Sequence, residues 1–191
     1  MKALSIVAGL IGVVLLAVPA SAFTYNEATD GDLPAGNLLL LDPGINHIIG
    51  QGSFVPAVDP FGDFDDFAFG VPAGYTLQSV TYAFATTLLP NTTQLIAGFS
   101  LVHDKTTLSE VQVDLLGGSP IALFADVLPV NAATYRFSDD LLQTTKGGGG
   151  SWDYDITLNV APAAVPEPTA LSLLLAGLLA GWHLRRRTAA R

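Results

Sequence analysis

The chain has 191 residues, a net charge of −9 and no cysteine. An acidic chain repels a phosphate backbone, so nucleic acid is excluded as a partner. The lack of cysteine excludes disulfides, thiolate metal sites and a thiol nucleophile. The stability of the fold must therefore come from burial and backbone pairing alone.

The first 22 residues have the three parts of a secretory signal peptide. Lys2 is the charged start, an apolar helix-forming stretch runs to Val18, and Ala20-Ser21-Ala22 is a small-residue cleavage site. Residues 1–22 are therefore predicted to be removed by signal peptidase, although the same segment also fits an uncleaved membrane anchor. Residues 23–164 carry 16 acidic and 3 basic residues, a net charge of −13.

Residues 23–160 are predicted to form one antiparallel β-sandwich of the jelly-roll type. About eight short apolar or alternating runs are separated by turn signals, and no amphipathic helix lies among them. Residues 23–37 are polar and predict a loop. The apolar run Leu38–Leu41 predicts a short buried strand with His47–Gln51 as its partner.

The best-marked strands of the first half lie on either side of a turn. Phe67, Phe69 and Val71 alternate with small residues, which predicts a strand with one apolar face. Pro72-Ala73-Gly74 predicts a turn, and Thr76–Thr86 predicts the next strand.

Five further strands are predicted beyond this turn. The segment Thr93–Val102 is apolar on both faces, as is typical of a central strand covered by a second sheet. The others are predicted at Glu110–Leu115, Ile121–Phe124, Thr134–Phe137 and Ser151–Val160, and the last of these alternates for five pairs.

The C-terminal segment, residues 165–191, follows an Ala/Pro linker at residues 161–164. It begins Val165-Pro166-Glu167-Pro168, continues in an uncharged run from Ala170 to Leu184, and then has the basic tail Arg185-Arg186-Arg187. The prolines prevent a helix from starting earlier. The uncharged run predicts a transmembrane helix of about 22 Å, short against a hydrocarbon core of about 30 Å, with the arginines on the cytoplasmic side.

This order of tripeptide, short apolar helix and basic tail resembles the PEP-CTERM sorting signal of Gram-negative bacteria, whose signature is matched by Pro166-Glu167-Pro168. The resemblance implies processing by an exosortase, an integral-membrane cysteine protease that cuts near the tripeptide. The protein would be anchored transiently in the inner membrane and then reach the cell surface or the extracellular space. The other interpretation is a permanently membrane-anchored surface protein.

The domain also resembles a subgroup of such proteins. The acidic aromatic strand, Val-Pro-Ala-Gly turn and second strand in Phe61–Leu77 are similar to the FxDxF family of PEP-CTERM proteins and to small pre-peptidase C-terminal β-sandwiches. The segment Phe64-Asp65-Asp66-Phe67 has one residue fewer between its aromatics than the F-x-D-x-F motif.

Four acids, Asp59, Asp63, Asp65 and Asp66, lie within eight residues. Oxygen-rich acidic segments bind Ca²⁺, the one cofactor that the sequence suggests. The acids do not have EF-hand spacing, so a solvated strand edge that discourages edge-to-edge pairing is the other interpretation.

Two aromatic residues, Trp152 and Tyr154, fit either a sugar-stacking platform or the core, because they share the apolar face of their strand. There is no G-x-S-x-G nucleophile motif, and no catalytic residue is predicted. We therefore expect a non-catalytic surface or extracellular-matrix protein linked to exopolysaccharide or biofilm, with a carbohydrate-binding module as the alternative.

Overall fold

The computed structural model describes residues 23–33, 38–55, 59–145 and 148–164. Within these ranges the chain is almost entirely β-strand, which confirms the predicted all-β class. In chain order the elements are β1 (Thr24–Asn26), α1 (Glu27–Asp30), β2 (Leu38–Leu40), β3 (Gly44–Val55), β4 (Asp59–Asp63), β5 (Asp66–Gly70), β6 (Tyr75–Leu88), β7 (Leu95–His103), β8 (Thr106–Asp114), β9 (Ile121–Leu123), β10 (Val130–Asn131), β11 (Thr134–Thr144) and β12 (Gly150–Pro162).

The larger sheet is organised around the last strand. Its strands lie in the order β1-β3-β12-β6-β10, with β4 also paired to β3 and β9 also paired to β6. Trp152 of β12 lies between Gly52 of β3 and Thr86 of β6. Every second side chain from Trp152 to Val160 is buried, so the half-buried strand predicted here is confirmed.

The smaller sheet has the order β2-β5-β11-β7-β8. Phe67 and Phe69 of β5 are buried, as their alternation predicts. The turn after β5 is also confirmed, because the backbone N–H of Tyr75 donates to the Pro72 carbonyl at 3.2 Å and Gly74 has a left-handed φ of 82°.

The two sheets pack face to face over aromatic rings. The ring of Tyr82, from the larger sheet, lies 4.6 Å from the ring of Phe99 in the smaller sheet, measured between centroids. Phe99 in turn contacts Phe137 at 5.6 Å, and Phe137 stacks on Phe67 at 5.1 Å. Such tilted and offset pairs are the favourable arrangements of buried rings. The core therefore lies between the sheets, as in a sandwich.

Two strand pairs depart from the predicted antiparallel arrangement. Strand β1 pairs with β3 in parallel, and β2 pairs with β5 in parallel. Between the members of each pair, the chain passes through the other sheet before it returns. The prediction of a wholly antiparallel sandwich is therefore wrong at these two pairs.

The N-terminal part of the domain is more ordered than its polar sequence indicates. Residues 23–37 were expected to form a loop, but they contain β1 and α1. Strand β2 exists as predicted at the edge of its sheet, but only one face of it is buried: Leu39 is 8% exposed, whereas Leu40 points to the other face and is 69% exposed. Its partner is β5, and the segment around His47 belongs to the other sheet.

The last strand runs two residues into the predicted linker and ends at Pro162. The backbone N–H of Ala163 then donates to the Gly74 carbonyl at 2.8 Å. The predicted signal peptide (residues 1–22) and the predicted sorting segment (165–191) lie outside the described residues. Among the described residues, no helix is long and apolar enough to span a membrane.

Candidate functional site

Three carboxylates from separate parts of the chain meet at one end of the sandwich. Glu27 is the first residue of α1, Asp32 follows that helix, and Asp65 directly precedes β5. One carboxylate oxygen from each of the three lies within 4.8 Å of the others. We call Glu27, Asp32 and Asp65 the carboxylate cluster.

Backbone donors hold the Glu27 side chain in place. Its Oε1 atom accepts a hydrogen bond from the Leu33 N–H at 3.2 Å, and its Oε2 atom accepts one from the Gln51 N–H at 3.0 Å. The short helix that carries it is capped by Asn26, whose side chain accepts from the Ala28 N–H at 3.0 Å. Glu27 thereby ties the N-terminal segment to β3.

Asp65 is the most buried member of the cluster, with 3% of its surface exposed. The hydroxyl of Tyr154 donates to its Oδ2 atom at 2.5 Å. Burial raises the pKa of the Asp65 carboxyl to about 7; the Tyr154 hydrogen bond lowers it and the neighbouring Glu27 raises it. This carboxyl therefore holds a proton more readily than an ordinary aspartic acid.

A glycine makes room for these groups. A Cβ atom at Gly50 would lie 2.1 Å from Oε2 of Glu27 and 2.3 Å from the hydroxyl of Tyr154. Both contacts are shorter than any side chain tolerates. The carboxylate of Glu27 and the hydroxyl of Tyr154 therefore lie over Gly50, where β3 has no side chain.

A fourth carboxyl, that of Asp139, lies next to Asp65 on the inner side. The backbone N–H of Asp139 donates to the Asp65 carbonyl at 3.0 Å, which continues the β5–β11 pairing, and Asp139 has the same inward phase as Phe137. Its side chain is 8% exposed, and its Oδ1 atom has no hydrogen-bond partner among the described residues. Burial raises the pKa of Asp139 well above its ordinary value, and the charge of Asp65 raises it further.

Two more buried polar atoms lack a partner within the described ranges, the Tyr82 hydroxyl and the Trp152 indole nitrogen. Burial raises the pKa of the Tyr82 phenol, and the charge of Asp139 adds to that shift. The inner side of the cluster is therefore a polar region within an otherwise apolar core.

On the outer side, the cluster opens into a cleft of about 450 Å³. Asp63 and Asp153 stand on its rim with Gln51, whose side-chain amide donates to Asp153 at 2.6 Å. Among the described residues that line the cleft, all the charged groups are acids. The cluster offers only oxygen ligands, the type that hard cations prefer.

The structure distributes the four acids predicted as a Ca²⁺ site over different environments. Asp65 belongs to the carboxylate cluster, and Asp63 lies on the rim of the cleft. Asp66 forms a two-pronged ion pair with Arg136 across the β5–β11 pair. Asp59 is the first residue of β4, and its side chain lies outside the described part of the structure.

Sequence reasoning missed Glu27, Asp32 and Asp139. Glu27 and Asp32 are polar residues in a segment without periodicity, so no local signal marks them. Asp139 did have a signal, because Tyr135, Phe137 and Asp139 share the inward phase of β11. A carboxylate at an inward position is rarely buried without a partner.

The two predicted sugar-contact residues lie in the core. Trp152 is 1% exposed and Tyr154 is 3% exposed, and Tyr154 stacks on Tyr82 at 5.8 Å. A buried ring cannot present its face to a sugar, so the stacking platform expected of Trp152 and Tyr154 is absent. Their burial follows from the inward phase that they share with Ile156 and Leu158.

Residues 164–187 match the family model of the PEP-CTERM protein-sorting motif. Comparison with curated proteins and comparison with solved structures each gave no match. The matched range contains the tripeptide Pro166-Glu167-Pro168 and the arginines Arg185 to Arg187, and it begins two residues after β12 ends. The chain therefore carries a PEP-CTERM protein-sorting motif, which marks exported proteins that are processed by an exosortase.

Proposed function

We propose that this chain is a non-catalytic protein of the cell surface or extracellular matrix, released from the membrane by an exosortase and associated with exopolysaccharide or biofilm. The observation that carries the proposal is the sorting motif at residues 164–187, directly behind the β-sandwich. The exosortase is the processing partner that this motif implies.

The end of the sandwich supports cleavage close to the fold. Ala163 is bonded to Gly74, so Pro166 lies three residues beyond the last hydrogen bond of the domain. Three residues reach about 10 Å at most. Cleavage at the tripeptide would therefore leave almost the whole sandwich intact and only a very short tail.

The charge of the mature region supports a soluble product. With 16 acids and 3 bases between residues 23 and 164, the released domain would repel anionic lipid and other copies of itself. It would also attract divalent cations, which are common cross-links between acidic surface polymers.

The environment of the titratable groups supports a role other than catalysis. Asp65 and Asp139 are the groups with strongly raised pKa values among the described carboxyls, and both are more than nine-tenths buried. A catalytic acid needs to reach its substrate. These two carboxyls lie beneath the surface, and their residues are joined by the backbone hydrogen bond from the Asp139 N–H to the Asp65 carbonyl.

The test is the intact mass of the protein recovered from its own host, beside the same host lacking its exosortase. We expect a chain that ends near Pro166 to Pro168 only where the enzyme is present. A Glu167→Ala variant should reduce that product, whereas Glu110→Ala, an exposed change on β8, should not. A chain that keeps Arg191 in both strains would make this a permanently anchored protein and overturn the proposal.

The matrix role has a separate readout. The processed protein should collect in the exopolysaccharide fraction of the host culture and leave it when that polymer is enzymatically removed. A uniform distribution in the medium would contradict association with the polymer while leaving the processing result unaffected.

A further inference from the structure

We propose that Glu27, Asp32 and Asp65 form a binding site for one Ca²⁺ ion at the end of the sandwich. This site goes beyond the sorting function, and it differs from the four-aspartate site that the sequence indicates. It retains Asp65 from that set and takes its other two ligands from the N-terminal segment.

The spacing of the oxygens fits a shared ion. Ca²⁺ is bound by oxygens at about 2.3–2.6 Å, so two oxygens on opposite sides of one ion lie up to about 5 Å apart. The carboxylate oxygens of Glu27, Asp32 and Asp65 lie within 4.8 Å of one another. One ion can therefore contact all three after small adjustments of the side chains.

The charges around the cluster require compensation. The described residues that line the cleft include neither Lys nor Arg, and they add Asp63 and Asp153 to the negative charge. Arg136, the one arginine in the described ranges, is engaged by Asp66. Carboxylates this close repel one another when ionised, so they must either keep a proton or hold a cation.

The buried carboxyl of Asp139, which is not a member of the cluster, also favours a cation here. Its Oδ1 atom is buried and has no hydrogen-bond partner in the described part of the chain, and its side chain has the same inward phase as that of Asp65, its neighbour across the strand pair. An unpaired carboxylate oxygen in the interior costs free energy unless a positive charge or a donor faces it. A cation at Asp65 supplies that charge.

The ligand chemistry favours Ca²⁺ over other metals. The cluster contains no histidine, and the chain has no cysteine, so softer metals lack their usual ligands. Ca²⁺ accepts six to eight oxygens in flexible geometry, and the cleft of about 450 Å³ has space for the waters that would complete the set. Mg²⁺ needs a smaller, near-octahedral arrangement, so it should bind more weakly.

A bound ion would join three parts of the fold. Glu27 is already tied to β3 through Gln51, and Asp65 leads into β5 of the opposite sheet. Asp32 belongs to the segment after α1. The ion would therefore fasten the N-terminal segment across the open end of the sandwich and raise the melting temperature.

The experiment is a calorimetric titration of CaCl2 into purified protein produced from the full-length chain and stripped with EDTA. A thermal melt is recorded at each CaCl2 concentration. We expect one saturable site per chain, a higher melting temperature with CaCl2, and weaker binding of MgCl2. The main variant is Asp32→Asn, because Asp32 is exposed and its replacement leaves the core unchanged.

We expect Asp32→Asn to weaken Ca²⁺ binding at least tenfold and to abolish the rise in melting temperature. The matched control is Asp104→Asn, which removes the same charge from an exposed turn between β7 and β8 and should bind as the parent protein does. No heat of binding in the parent, or equal affinity in Asp32→Asn and the parent, would overturn the site. Equal weakening by both variants would show that CaCl2 acts only through general surface charge.

Discussion

Because its pKa is raised in the fold, Asp65 should make this protein less stable as the pH rises from about 4 to about 7. The pKa of its carboxyl is about 7 in the fold, against an ordinary value of 3.8. Between those values the folded protein binds a proton that the unfolded chain releases, so the free energy of unfolding decreases with pH. Asp139, whose pKa is also raised, acts in the same direction.

The size of the effect follows from the width of that window. Each pH unit inside it removes about 1.4 kcal/mol, so moving from about pH 5 to about pH 8 crosses two such units and removes about 3 kcal/mol through Asp65. The titratable groups that surround this carboxyl are Glu27, Asp32, Asp63, Asp139 and Tyr154. None of them is a cation that would keep the carboxyl ionised.

The assay is urea denaturation in EDTA, which keeps the cluster free of metal, followed by tryptophan fluorescence at the two pH values. The parent protein should be clearly more stable at the lower pH. Asp65→Asn should lose much of that difference, because its amide does not titrate and can still accept from Tyr154. A stability that rises with pH, or a variant with the same pH dependence as the parent, would refute the assignment of the effect to Asp65.

The remaining predictions concern the core. Phe99→Ala removes a ring that contacts both sheets and should lower the free energy of unfolding by about 3–5 kcal/mol, whereas Leu40→Ala on the exposed edge should lower it by less than about 1 kcal/mol. Urea denaturation of both variants measures the two losses. Equal losses would contradict the packing described here. Gly52→Ala would place a Cβ 2.5 Å from Cε2 of Trp152 and should destabilise the fold by about 1–3 kcal/mol with altered tryptophan fluorescence. Gly118→Ala, whose Cβ meets nothing within 4 Å, is its control, and similar melting temperatures for the two variants would show that Gly52 is not needed for space.

Strands whose side chains alternate were predictable from the sequence, because a strand with one buried face has apolar and polar residues at alternate positions. Trp152 to Val160 and Phe67 to Val71 are examples. The same local signal could not give the parallel pairs, since the direction of β3 relative to β1 depends on the path of the whole connection between them, which passes through β2 of the other sheet.

The carboxylate cluster could not be predicted either, because it also depends on contacts between residues that are far apart in the sequence. Glu27 and Asp65 are 38 residues apart, and Gly50 of β3 leaves the space in which Glu27 approaches Tyr154, the hydrogen-bond partner of Asp65. The four aspartates near Asp65 were conspicuous in the sequence, yet strand pairing turned Asp66 toward Arg136 and Asp65 toward Tyr154. Adjacent residues on a strand point to opposite faces, so a run of acids is divided by the fold.

The position of β12 determines when the domain can fold during export. Among the described strands, β12 lies between β3 and β6 and pairs with both, so the larger sheet is complete only when β12 has joined it. Because β12 begins at Gly150 and ends at Pro162, nearly the entire domain must leave the translocation channel before the sheet closes. The larger sheet can therefore be completed only after the residues directly before the sorting motif have been exported.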